Sequence, residues 1–190
     1  EYTSLADAIT AANDGDTVLL LNDVVLTKKL EISKSIALDL NGKSISLSED
    51  SSAQQPIELL TGCNVTITGT TGSKIAGVDY GVVLKSGAAL TVNGDVTIEA
   101  VYKEYDYEFG SYESKTGIGI YTNPGEANIT INGATVKGLR LGGGSVVVNS
   151  GKVTDKVDLY SGSITFKKDV TVPDEIINAK AKINAADGSV

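Results

Sequence analysis

Apolar residues along most of this chain come as short alternating pairs, each followed by a turn and a second alternating pair. The first pairs are Leu38/Leu40, Ile57/Leu59, Val82/Leu84, Ile118/Ile120, Leu139/Leu141 and Val157/Leu159. Their partners are Ile45/Leu47, Val65/Ile67, Leu90/Val92, Ile129/Ile131, Val146/Val148 and Ile164/Phe166. Between them lie Asn41-Gly42, Thr61-Gly62, Ser86-Gly87, Asn123-Pro124-Gly125, Gly142-Gly143-Gly144 and Ser161-Gly162, residues that suit tight turns and left-handed backbone. Period-two alternation over three to five residues predicts strands with one buried face. A third short strand often follows, as at Val96/Ile98, Val136, Val153 and Val170/Val172.

Only residues 4–12 break this rhythm. Leu5, Ala8, Ile9 and Ala12 share one helical face, Ser4 is a good N-cap, and Asp7 sits where its charge suits the helix dipole. Asn13-Asp14-Gly15-Asp16 ends the helix.

The paired strands recur every 18 to 25 residues or so, with one longer gap between Leu84 and Ile120. Three short strands per repeat predict an all-β chain folded as a right-handed parallel β-helix of about seven coils. Each coil cannot bury its inner face alone, so coils stack around one shared core. Val18–Leu21, Val24–Leu26 and Leu30–Ile32 fit the first coil, and Ile176/Ile177 with Ile183 fit the last. The helix then caps the open end, where unpaired strand edges invite aggregation. An antiparallel sandwich is the alternative, opposed by the lack of long hairpin strands. Residues 1–190 read as one domain. The chain starts at Glu1 and its last residues drift into small polar side chains, so a module of a longer protein is expected.

The helix Ser4-Leu-Ala-Asp-Ala-Ile-Thr-Ala-Ala, then Gly15-Asp-Thr-Val-Leu-Leu and Leu38-Asp-Leu-Asn-Gly, resembles the start of bacterial surface-protein modules of the pectin-lyase-like superfamily. The resemblance covers nearly the whole chain. It implies the β-helix fold but leaves function open, because the superfamily holds lyases, hydrolases, tailspikes and non-catalytic adhesins.

With the pairs turned inward, the residue between them points outward. One series is then Asp39, Glu58, Val83, Gly119, Arg140 and Asp158; the other is Ser46, Thr66, Thr91, Thr130, Val147 and Thr165. Arg140 and Asp158 are expected to stack as an ion pair. Asp39 and Glu58 are expected to stack as like charges, the only pair with a claim to a cation such as Ca²⁺, which prefers oxygen ligands. Two carboxylates that splay into solvent are the plainer reading, and no metal or cofactor is otherwise expected. Asn93, Asn132 and Asn149 fall at equivalent turns, where stacked amides can bond.

The longer gap has a cause. Residues 101–116 hold Tyr102, Tyr105, Tyr107, Phe109 and Tyr112, half of all the aromatic residues, together with Glu104, Asp106, Glu108 and Glu113. Aromatic faces stack on sugars and carboxylates accept from hydroxyls, so Tyr102, Glu104, Tyr105, Asp106, Tyr107, Phe109 and Tyr112 are the candidate ligand-binding residues. The alternation equally allows a hairpin whose aromatics pack on the solenoid flank.

Composition narrows the chemistry. With no histidine there is no Ser-His-Asp or Cys-His catalysis and no His-ligated metal. Cys63 is the only cysteine, so no internal disulfide forms. A net charge of −8 with Arg140 as the single arginine argues against nucleic acid and anionic membrane as partners. No apolar run approaches a membrane span. The hydrolase pattern that the resemblance would imply needs a histidine and fails; a lyase or esterase pattern has only Arg140 and Asp158 to draw on. The expectation is a non-catalytic extracellular module at a bacterial cell surface, for adhesion or for binding a glycan or a host protein, beside flanking domains. A rigid spacer and a polysaccharide lyase are the alternatives.

Overall fold

The computed structural model describes residues 1–172, 175–178 and 181–185. It is nearly all β, with about 60% of the chain in strands and one short helix. Parallel strands pair into one curled sheet, consistent with a β-helix-like solenoid. The helix, α1, is Leu5–Ala11. The Ser4 hydroxyl accepts from the Asp7 amide at 3.1 Å and donates to its carboxylate at 2.8 Å. Leu5 and Ile9 are buried in the shared core, as the cap reading requires. Asp16 then accepts from the Asn13 amide at 2.7 Å and closes the turn after the helix.

The strands form three faces. The first carries β1 (Thr17–Leu19), β4 (Ala37–Asp39), β7 (Asn64–Gly77), β9 (Ala89–Asp106), β12 (Ala127–Leu141), β13 (Gly144–Leu159), β14 (Ser163–Phe166) and β16 (Lys182–Ala185). The second carries β2 (Val24–Leu26), β5 (Ser44–Leu47) and the later parts of β7, β9, β12 and β13. The third carries β3 (Leu30–Ile32), β6 (Ile57–Leu59), β8 (Tyr80–Leu84), β11 (Ile118–Thr122), the ends of β12 and β13, and β15 (Glu175–Asn178). Long strands such as β12 and β13 therefore run round corners and serve all three faces. Among the described residues the one antiparallel pairing joins β9 to β10 (Ser111–Thr116).

The core follows from the alternation. Val65, Leu90, Ile129, Val146 and Ile164 stack inward on the first face, Ile45, Ile75, Ile98, Val136 and Val153 on the second, and Leu30, Ile57, Val82, Ile120, Leu139 and Val157 on the third. These belong to one buried cluster that runs from Leu5 to Phe166.

Three register expectations are corrected. Leu38/Leu40 lie on the first face, not with Ile57/Leu59, and Ile45/Leu47 lie on the second. Asp39 therefore stacks between Leu19 and Thr68, while Glu58 stacks between Glu31 and Val83. Ser46 leaves the threonine series for the second face, between Val25 and Ala76. On β11 the inward residues are Ile120 and Thr122, so Tyr121 takes the outward position assigned to Gly119. The first two share a cause: apolar–polar–apolar triplets look alike on every face, so alternation fixes which side is buried but not which wall a strand joins.

The Asn93, Asn132 and Asn149 ladder forms as expected, with Asn132 donating to Asn93 at 2.7 Å and Asn149 to Asn132 at 2.8 Å. The left-handed corner itself falls on the next residue: Gly94 has φ 80° and Gly133 has φ 93°. At Gly94 a side chain would run into the Gly69 carbonyl of the rung below, so glycine is needed twice over.

Candidate functional site

Residues 101–116 leave the solenoid as a two-stranded ribbon. β9 pairs in parallel with β7 only as far as Ala100, and from Val101 onward its residues pair with β10 instead. The turn is built from the sequence: Asp106 accepts from the amides of Glu108 at 2.8 Å and Phe109 at 3.1 Å, and Gly110 supplies φ 63°. The hairpin alternative is thus the observed one, but Tyr107, Phe109 and Tyr112 do not bury on the flank. Tyr107 is 91% exposed, Phe109 74% and Tyr112 70%, and Tyr102 is half-buried nearer the base. Tyr105 lies opposite Tyr112 in the register.

The same register sets Glu104 opposite Glu113 and Asp106 opposite Ser111. Opposed like charges destabilise a ladder. Lys115 relieves part of this by an ion pair to Glu113 at 2.7 Å. That hydrogen bond, then the attraction of Glu113, Glu104 and Asp106, raises the lysine's pKa. Glu104, Asp106, Tyr107, Glu108, Glu113 and Lys115 line a shallow hollow of about 340 Å³.

The walls of the solenoid carry a different chemistry. Arg140 and Asp158 stack as expected, with Nε and Nη2 of the guanidinium donating to one carboxylate oxygen at 3.1 and 2.8 Å. Lys156 stands 3.4 Å from the other oxygen. Glu58 pairs with Lys29 and, at 2.9 Å, with Lys85. Glu99 pairs with Lys74 and, at 2.6 Å, with Lys137. These ion pairs hold the carboxylates as parts of the wall. Next to Arg140 on the third face, Tyr121 stacks on Tyr80 with ring centroids 4.8 Å apart.

Asp39 and Glu58 are not brought together: they sit on different faces, and Asp39 accepts from the Asn41 amide at 2.9 Å. Among the described residues no group of three or more acidic or cysteine side chains is arranged to hold a metal ion. Cys63 is buried, its thiol donating to the Leu60 carbonyl at 3.0 Å, and burial raises its pKa away from thiolate chemistry.

Sequence reasoning missed the Glu99 pairs and the Tyr80–Tyr121 stack. A signal existed for the first. Glu99 directly follows inward Ile98, and Lys137 directly follows inward Val136, so both occupy the same outward position one rung apart. The second was hidden by the two-residue offset on β11. Comparison with known proteins finds no matching family model, no matching curated protein and no matching solved structure.

Proposed function

We propose that this chain is a non-catalytic binding module of a bacterial surface protein, in which the solenoid is a mount and the 101–116 hairpin is the contact element. In this reading the curled parallel sheet is a right-handed β-helix of about seven coils, pectin-lyase-like in kind, and the ligand is a glycan or a protein on another cell. One observation carries it. Three large aromatic side chains, Tyr107, Phe109 and Tyr112, stand exposed on a ribbon that has left the core, where burial would otherwise have stabilised each by roughly 1.5–3 kcal/mol. Exposed aromatics on a positioned loop are the usual makings of a contact surface. The paired state of Glu58, Glu99 and Asp158 favours binding over catalysis, since each carboxylate is already engaged by two cationic side chains.

The test is capture on arrays of glycans and of cell-surface proteins, with wild type beside a Tyr107→Ser/Phe109→Ser variant. The expected result is reproducible capture by wild type that falls about tenfold or more in the variant, as loss of an aromatic anchor should cause, with an unchanged melting temperature. Equal capture by both removes the hairpin from the binding surface. No capture on either array leaves the spacer reading.

A further inference from the structure

Among the described residues the hairpin is a two-stranded ribbon. Within that set β10 pairs with β9 alone, and no second strand runs along the outer side of Ser111–Thr116. The opposite edge is closed at its base, where Ala100 pairs with Gly77. A two-stranded ribbon is marginal in water, and a strand edge that no other strand covers is a template for a third strand. Side-chain charge decides what that strand carries. Glu104 and Glu113 face one another across the ribbon with Asp106 and Glu108 beside them, against Lys115 on the same hollow. A second copy of this chain would bring another acidic ribbon and a net charge of −8 to the same edge.

We propose that the hairpin takes up an extended, lysine- or arginine-bearing segment of a partner protein, which adds as a third strand along Ser111–Thr116 and sets cationic side chains against Glu104 and Glu113. Main-chain hydrogen bonds then supply the affinity and the carboxylates the selectivity. The exposed Tyr107 and Phe109 at the tip add apolar contact at one end of the added strand. This inference rests on the hairpin being the contact element, and it specifies what the hairpin contacts.

The probe is a fluorescein-labelled peptide of alternating lysine and valine, measured by anisotropy against the whole domain. Three comparisons accompany it: the same peptide with glutamate for lysine, the same peptide N-methylated at every residue, and a Glu104→Gln/Glu113→Gln domain. The lysine peptide is expected to bind. Its Kd is expected to rise about tenfold or more in the double variant and between about 0.05 and 0.5 M sodium chloride. The glutamate and N-methylated peptides are expected not to bind. Equal binding of the N-methylated peptide reduces the effect to charge attraction and overturns strand addition. Hairpin-dependent capture of a glycan with no binding of the lysine peptide overturns this inference while the contact-element reading stands. A dimer of the free domain that is lost when the hairpin is removed makes a second copy the occupant and also overturns it.

Discussion

Among the described residues, each buried carboxylate of the solenoid wall is held by cations from neighbouring positions. Lys29 and Lys85 flank Glu58, Lys74 and Lys137 flank Glu99, and Arg140 and Lys156 flank Asp158. Exposed pairs contribute little, but these acids are 10% exposed or less, so losing a partner leaves a desolvated charge. Arg140→Ala is therefore expected to destabilise by about 1–3 kcal/mol in urea denaturation, because it strips two hydrogen bonds from buried Asp158. The pH dependence follows from the same geometry. Burial pushes the carboxyls of Glu58 and Glu99 up, but the lysine hydrogen bonds and charges outweigh it and hold both below the usual glutamate value. The folded protein then keeps them ionised where the unfolded chain takes up protons. Their contribution is full above the unfolded value, about 4.3, and is lost as the pH falls through the lower folded value. Glu99→Gln is expected to be less stable than wild type at pH 7 and to lose less on going to pH 4. A parallel loss in both proteins would deny Glu99 this role.

At the scale of elements, the helix is the part the sequence made plainest. Ser4, Asp7, Leu5 and Ile9 do in the structure what capping chemistry and helical period require of them. Ser4→Ala is expected to cost about 1 kcal/mol, read as a lower melting temperature, since it removes the acceptor for the Asp7 amide. An unchanged melting temperature would mean that α1 frays without loss to the core it covers. Strand positions and their inward faces were equally legible, because alternation encodes burial directly. Wall assignment was not. Leu38-Asp-Leu and Ile57-Glu-Leu have the same local pattern yet stand on different faces, and only long-range pairing separates them. The Gly119 offset has another cause. Thr122 is fully buried, its hydroxyl accepting from the Gly142 amide at 2.8 Å, and a buried polar residue does not show in an apolar pattern. The hairpin lay between these cases: its strand period was visible, while the fate of its aromatics depended on whether the ribbon turned toward the wall or away.

Across the whole molecule, two parts differ in how they are held. The solenoid is one continuous core in which every strand leans on its neighbours. The ribbon beyond Ala100 shares little of that core, and its side chains at Tyr107, Phe109 and Tyr112 lie in solvent. Such a division suits a scaffold that sets the position of a contact element without depending on it for stability. Excision tests this most directly. Residues 102–115 are replaced by Asn-Gly, which can close a tight turn, and the product is compared with wild type in one thermal melt and one capture assay on the arrays. The account predicts a melting temperature within about 2 °C of wild type, a shift of at most about 1 kcal/mol, with capture abolished. Full capture by the excised protein would contradict it and move the binding surface to the solenoid walls.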